Sequence, residues 1–171
     1  MSDAKPGDSS WALTDEEGGA LSARWWKWAL SAPERRSPVA DVTGVHAGWK
    51  QPKDLWFLAG TYGGRVERRC DVPTDRPLFF PVLNIQHAHL YSRVPLTLPV
   101  ARAEAYLNGA PLPLREFTAP PFWATLIRRS AWGIWAGVAP LAPGQYVLEI
   151  KADTGHGFWV DTTYHLRATD L

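Results

Sequence analysis

Two histidines one residue apart, His87 and His89, form the most concentrated chemical signal in the sequence. Side chains alternate across a β-strand, so this spacing places both imidazoles on one face. Such a pair, completed by a third ligand, binds zinc, iron, nickel or copper in cupin-like sites. His165 supplies the third ligand if the last strand lies beside or opposite the histidine strand, and Asp161 or Glu104 supplies a carboxylate. The sequence therefore contains a candidate site for a divalent transition metal.

The same histidines also fit two interpretations without a metal. Counted in steps of two along the strand, they share the parity of Phe79, Leu83 and Ile85, so without a bulge they point toward an apolar interior. Buried imidazoles need hydrogen-bond partners, and a backbone carbonyl or a tyrosine hydroxyl provides one. Alternatively, the histidines act in acid–base chemistry. The spacing alone leaves the metal site, hydrogen-bonded burial and acid–base catalysis open.

The last predicted strand carries a second polar face. Trp159, Asp161, Thr163 and His165 share one parity, and they either line a cleft or form the solvent side of an edge strand. Asp161 and His165 lie four residues apart, about 13 Å along a strand, so each needs a partner from another strand to act in catalysis. The candidate catalytic residues are thus His87, His89, Asp161 and His165.

Ten tryptophans among 171 residues are a large excess. Tryptophan suits both cores and ligand surfaces, because it combines a wide apolar face with one N–H donor. Ligand sites are generally apolar clefts with a few polar groups. By parity Trp132 and Trp135 lie on opposite faces of one strand, so tryptophans are expected to face both the core and a cleft. The aromatic residues that we assign to a ligand pocket are Trp56, Tyr62, Trp123, Trp135 and Trp159.

A helix is predicted over about residues 15–31. Thr14 and Glu17 have the spacing of a capping box, in which each side chain accepts a hydrogen bond from a free backbone N–H at the helix start. Pro33 ends the run. The segment has the composition of a membrane-surface anchor, but docking onto the sheets is the favoured interpretation. The apolar face of this helix comprises Leu21, Trp25, Trp28 and Ala32.

The sequence changes after residue 54 to short alternating runs separated by proline and glycine, which is typical of antiparallel sheets. Residues 55–59 and 65–72 predict a hairpin, with Arg68 as a polar exception on its apolar parity. Further short strands are expected along the rest of the chain. The others lie over residues 78–90, 100–107, 110–114, 122–128, 132–138, 146–151 and 158–167, with a tight turn at Asn108-Gly109.

These elements predict a mostly-β fold: an antiparallel β-sandwich or jelly-roll-like domain with one N-terminal amphipathic helix. Residues 14–171 form this single domain. A chain of this length buries roughly 70% of its unfolded surface, which is enough for a core without disulfides. Residues 1–13 are polar and lack periodicity, so they are predicted to form a flexible tail.

Composition excludes several classes of partner. Eighteen lysines and arginines against seventeen aspartates and glutamates leave a net charge of +1, without the positive excess of nucleic-acid binders. The single cysteine, Cys70, excludes an internal disulfide and is expected to be a small buried hydrophobe. No run approaches the roughly 20 apolar residues of a membrane span, and the N-terminus lacks a secretory signal. We therefore expect a cytoplasmic protein without a nucleic-acid or membrane partner.

Several motifs occur in a recognisable order: WWKWA at residues 25–29, WFLAGT at 56–61, RCDVP at 69–73, FFPVLN at 79–84 and DTTYHL at 161–166. This order resembles a family of small uncharacterised bacterial proteins over nearly the whole chain. The resemblance implies a fold and a domain extent but no activity. It also implies exported relatives with further cysteines near Ala47 and His87, where this chain has none, which agrees with a cytoplasmic copy.

Three functions remain open from the sequence. The leading hypothesis is a small-molecule binding or substrate-shaping protein with an aromatic-lined pocket, suited to secondary metabolism. The first alternative is a metal-dependent, cupin-like enzyme that uses His87 and His89. The second is an aromatic platform for carbohydrate or a protein partner. The sequence does not decide whether the protein is an enzyme, and a monomer or homodimer is expected.

Overall fold

The capped segment and the alternating runs fold into one helix and nine strands among residues 9–90, 92 and 94–171, which the computed structural model describes. The helix, α1, spans Asp15–Ser31, and a 3-10 turn follows at Glu34–Arg36. The strands are β1 Trp56–Phe57, β2 Gly64–Pro73, β3 Leu78–Ala88, β4 Arg102–Leu107, β5 Ala110–Pro111, β6 Arg115–Ala124, β7 Ile127–Val138, β8 Gly144–Asp153 and β9 Trp159–Thr169.

The strands form two sheets that pack face to face. Sheet A has the order β1-β3-β7-β6, and sheet B has the order β2-β9-β8-β4-β5. Apolar side chains from both sheets, including Phe80, Leu148 and Leu166, fill the space between them. Helix α1 packs on the other face of sheet A. The predicted β-sandwich with one N-terminal helix is confirmed, although the pairs β1–β3 and β2–β9 are parallel.

The predicted hairpin over residues 55–72 is wrong, because its two strands lie in different sheets. β1 pairs with β3 in sheet A, whereas β2 pairs with β9 in sheet B. The residues between β1 and β2 carry the chain from one sheet to the other. Gly63 and Gly64 adopt positive φ angles of 123° and 83° on this path, which glycine tolerates. The glycine-rich stretch therefore predicts where the chain turns, but it does not predict which strand β2 pairs with.

A second correction concerns residues 122–128, which were predicted as one strand. Thr125 and Leu126 form a turn there, with φ angles of 53° and 64°, and they separate β6 from β7. The turn escaped prediction because neither residue is a usual turn former. The Asn108-Gly109 turn is confirmed, with φ angles of 49° and 79°, but its return strand β5 is only two residues long.

Helix α1 forms as the capping box predicts. The backbone N–H of Glu17 donates to the Thr14 hydroxyl, and the backbone N–H of Thr14 donates to the Glu17 carboxylate. Trp25 and Trp28 are buried against sheet A, and the Trp25 indole N–H donates to the Leu58 carbonyl at 2.9 Å. The docking interpretation of this helix is therefore confirmed.

The predicted N-terminal tail divides into two parts. Residues 1–8 lie outside the described residues. Residues 9–11 instead run beside the end of β7, where Ser10 bridges Val138 and the Trp11 backbone N–H donates to the Gly137 carbonyl. The Trp11 ring also meets Phe79 edge to face, with ring centres 6.5 Å apart. This pairing extends sheet A beyond the start of β6.

Candidate functional site

A cleft of about 470 Å³ lies between the C-terminal half of α1, β3 and the neighbouring loops. Its volume falls within the roughly 300–1,000 Å³ of small-molecule sites. The helix contributes two adjacent indoles, and the loop after β1 forms the opposite rim. The lining residues are Trp25, Trp26, Ala29, Leu30, Val39, Gly60, Thr61, Tyr62, Asn84, Ile85, Gln86, Leu98 and Phe158.

The walls of the cleft are apolar with a few neutral polar groups. Trp26, Leu30 and Phe158 supply aromatic and aliphatic surface, while Thr61 and Asn84 supply polar atoms. Among the described lining residues, none carries a carboxylate, an imidazole, a thiol or a cationic group. A charged ligand would lose its hydration here without gaining an ion partner, which is costly. The lining therefore favours an uncharged ligand.

Two hydrogen-bond donors in the cleft wall are not used within the described residues. The indole Nε1 of Trp26 and the amide Nδ2 of Asn84 are buried and make no hydrogen bond there. Beneath them, a cavity of about 30 Å³ between the sheets shares Gly60, Thr61 and Asn84 with the cleft and has room for one water molecule. Both residues line the cleft, so these two N–H groups are the candidate donors to an acceptor group on a ligand.

Arg68, the polar exception on β2, is buried and holds the loops around the cleft in place. Its guanidinium donates to the carbonyls of Val39 and Gly60, both of which line the cleft, at 2.9 Å each. A buried guanidinium needs several acceptors in place of water. The remaining acceptors are the carbonyls of Asp41 and Ala59 and the hydroxyl of Tyr164.

Tyr164 on β9 completes the same cluster. Its hydroxyl accepts from Arg68 and from the backbone N–H of Ala59, and it donates to the Ala59 carbonyl at 2.8 Å. Burial raises the pKa of Tyr164 to about 12, against the opposing effect of the Arg68 charge. The phenol therefore remains protonated and keeps its role as a donor at neutral pH.

The loop on the other side of Arg68 is tied by Asp41. Burial alone would raise the pKa of Asp41, but hydrogen bonds from the backbone N–H groups of His46, Thr43 and Gly44 and from the Thr43 hydroxyl outweigh it and lower that pKa. The segment also covers the edge of β2, where the Arg69 N–H donates to the Thr43 carbonyl. Asp41 thus fixes the backbone that presents Val39 to the cleft.

His87 and His89 lie outside the cleft, and a bulge changes the parity of β3 before them. The pairing with β7 shifts between Pro81 and Leu83, so Phe79 packs against the helix whereas Leu83 packs between the sheets. The parity of Phe79 therefore does not extend to the histidines. His89 Nε2 lies 2.5 Å from the Ser130 hydroxyl.

His87 is half-buried, and its ring nitrogens have an unusual environment. Both of its ring nitrogens are buried and without a hydrogen-bond partner among the described residues, and its ring centre lies 6.1 Å from that of His89. Within that part of the chain, no group of three or more His, Cys, Asp or Glu side chains is arranged to hold a metal ion. The metal hypothesis retains two imidazoles without a third ligand.

The other candidate catalytic residues lie on the outer face of sheet B, whereas the histidine pair is on sheet A. His165 Nε2 is 2.5 Å from a Glu67 carboxylate oxygen, and Asp161 pairs with Arg65 at 3.2 Å. Glu104 on the same sheet pairs with Arg102. β9 lies between β2 and β8 and is not an edge strand, but this face is its solvent side. His165 and Asp161 therefore do not converge with His87 and His89.

The five aromatic residues assigned to a pocket occupy four different environments. Trp56 lies in the core between the sheets, and Trp135 lies beneath the helix, stacked on Phe79 with ring centres 4.9 Å apart. Trp123 on β6 and Trp159 on β9 are exposed on different sheets. Tyr62 is the one member of the set that lines the cleft.

Cys70 is half-buried and packs against the core between the sheets, as expected for a small hydrophobe. Burial raises the pKa of its thiol to about 12, and the charge of Asp71 adds to this effect. The thiol is therefore protonated at neutral pH and is a poor nucleophile.

Sequence reasoning did not identify Arg68, Trp26 and Asn84 as site residues. Arg68 left a signal, because a charged residue on an apolar parity is buried only when hydrogen bonds satisfy it. Trp26 lies on the helix, but the surface that it faces is formed by β3 and distant loops. Asn84 gave no signal, since the bulge in β3 decides where it points.

No match was found when the chain was compared with protein-family models, curated proteins and solved structures. The resemblance of the motif order to a family of small bacterial proteins therefore stays a prediction. None of the helices among the described residues is long and apolar enough to cross a membrane.

Proposed function

We propose that the protein binds an uncharged, largely apolar small molecule in the cleft between α1 and β3. The observation that carries this proposal is a cleft of about 470 Å³ whose described lining residues include no acidic, basic or thiol side chain. Such a lining is suited to binding and to holding a reactive substrate in one shape.

The ligand is expected to carry at least one hydrogen-bond acceptor. Trp26 Nε1 and Asn84 Nδ2 are donors without partners among the described residues, and pairing each of them would recover the cost of leaving it unbonded. Carbonyl and ether oxygens on an aromatic or aliphatic skeleton have this chemistry. The single cysteine, which leaves no partner for an internal disulfide, supports our further proposal of a reducing, cytoplasmic setting.

The neutral dye N-phenyl-1-naphthylamine, which fluoresces in apolar surroundings, tests the cleft directly. We expect saturable binding to the unmodified protein. Thr61→Trp places an indole at the rim of the cleft and should weaken binding about tenfold or more, since it fills space that the dye needs. Thr163→Trp makes the same change on the outer face of sheet B and should leave affinity unchanged. Equal affinity of the two variants, or linear uptake without saturation, would refute the proposal.

A further inference from the structure

An exposed apolar tip closes the hairpin between β6 and β7. Within residues 123–128, which we call the hairpin tip, Trp123 is 59% exposed and Leu126 is 96% exposed. Leu90 is 68% exposed and follows β3 at the same end of sheet A, where the His89 N–H donates to the Arg128 carbonyl. Three large apolar side chains therefore face solvent at one end of this sheet.

The backbone of the tip adopts a conformation that its residues disfavour. Thr125 and Leu126 both have positive φ angles, 53° and 64°. Glycine or asparagine occupies this left-handed region at lower cost than a β-branched or bulky side chain. The chain nevertheless places a leucine at the apex, where it makes the least contact with the rest of the protein. Strained residues of this kind often mark functional positions.

Arg129 braces this conformation from below. Its guanidinium donates to the Ala124 carbonyl at 3.2 Å, to the Thr125 hydroxyl at 2.6 Å and to the Gln86 side-chain oxygen at 2.8 Å. These bonds connect both sides of the turn to β3. The tip is therefore ordered before any partner arrives, which lowers the entropic cost of docking.

The tip itself carries positive charge. The Arg128 guanidinium lies over the exposed Trp123 ring, 5.8 Å from its centre. Residues 76–103 and 117–148, which include β3, β6 from Phe117 onward and β7, contain no aspartate or glutamate. The parts of β6 and β7 that adjoin the tip therefore offer no carboxylate that would neutralise Arg128 and Arg129.

We propose that the hairpin tip docks the protein onto an anionic lipid surface. Leucine at the apex would enter the boundary between headgroups and acyl chains, and Trp123 would lie at headgroup depth, where indoles are favoured. Arg128 would attract the anionic headgroups. A convex tip would need a matching groove on a protein partner, whereas a bilayer accepts it without one. The sequence-based expectation of no membrane partner rested on the lack of a long apolar run and on the helix tryptophans, which are docked on sheet A; neither concerns this hairpin.

The tip and the cleft share part of one wall. Gln86, which accepts from Arg129 beneath the tip, also lines the cleft. Trp26 and Leu30 line the cleft and pack against the buried cluster that includes Ala124 at the end of β6. On a bilayer, an apolar ligand could therefore enter the cleft from the lipid phase. This link rests on the proposed function, whereas the docking itself does not.

Vesicle co-sedimentation tests the docking. We expect the protein to bind vesicles of equal parts phosphatidylcholine and phosphatidylglycerol more tightly than vesicles of phosphatidylcholine alone. Leu126→Asn keeps a residue that tolerates a positive φ angle, so the fold and melting temperature should be retained, while the partition coefficient falls about tenfold. Arg128→Gln should lower binding to the anionic vesicles about fivefold.

Matched controls separate the tip from general surface effects. Leu171→Asn changes another exposed leucine, and Arg69→Gln another exposed arginine, so both should bind vesicles as the unmodified protein does. Thr61→Trp should also bind vesicles normally, so that failure of the cleft and failure of the tip are distinguishable. The proposal is overturned if the unmodified protein does not prefer anionic vesicles, if Leu126→Asn and Arg128→Gln bind unchanged, or if the tip instead forms a dimer that Leu126→Asn dissociates.

Discussion

Replacing Arg68 by methionine should destabilise the fold by about 3 kcal/mol. Methionine keeps most of the apolar volume of the side chain but removes every donor. The Val39 carbonyl, which is buried, loses the guanidinium, and an orphaned buried acceptor costs about 1–3 kcal/mol. The carbonyls of Asp41 and Gly60 lie at part-buried sites, where water can replace the arginine at lower cost. Tyr164 keeps its bonds to Ala59, and removal of a buried charge offsets part of the loss.

Urea unfolding and calorimetry measure this effect. For a domain of this size, about 3 kcal/mol corresponds to a decrease of roughly 6–12 °C in melting temperature. Arg69→Met, on the neighbouring exposed position of β2, should change the melting temperature by less than about 2 °C. Below its own melting temperature, the Arg68→Met variant should also bind N-phenyl-1-naphthylamine more weakly, because Val39 and Gly60 line the cleft. A variant within about 1 kcal/mol of the unmodified protein would refute the assigned role of Arg68.

Two further predictions concern the helix interface and the buried phenol. Gly18→Ala places a Cβ against the ring of buried Phe117, closer than van der Waals contact allows. Thermal melting should therefore show lower stability, by about 1–2 kcal/mol, even though alanine favours helix; equal or higher stability would contradict this packing. Folding raises the pKa of Tyr164 to about 12 from an ordinary value of 10.0, so its contribution to stability is complete below pH 10 and is lost as pH rises toward 12. Tyr164→Phe should flatten that alkaline decrease in urea titrations, and an unchanged slope would contradict the assignment.

Short sequence motifs correctly predicted the structural features that are determined by residues close together in the sequence. The capping box at Thr14 located the start of α1, and the Asn108-Gly109 pair located a tight turn, since both act within a few residues of the chain. The β-sandwich followed from the spacing of alternating runs. These features are readable because hydrogen bonding and φ preferences are properties of short segments.

The candidate site was less predictable, because its residues meet through long-range pairing. The bulge after Pro81 changes which face of sheet A the following residues of β3 occupy. No residue type in this segment predicts a bulge. The segment after β1 crosses to the other sheet instead of forming the turn of the predicted hairpin. Tyr62 lies on this crossing segment and lines the cleft. The sequence alone does not distinguish Trp135 from Trp26, since both belong to the tryptophan excess. The position of α1 on sheet A decides that Trp135 lies in the core and Trp26 lines the cleft.

The central position of β9 in sheet B has a consequence for synthesis of the chain. β9 lies between β2 and β8, and its contacts with β2 join residues 96 apart, as in the pair Arg65 and Asp161. Until β9 leaves the ribosome, β2 lacks its strand partner and β8 lacks one of its two. Pairing at such separation is slow, because the loop must close before the contacts form. The nascent protein therefore exposes two unpaired strand edges until this segment emerges. Aggregation through these edges is most favourable during that period, when chaperones can prevent it.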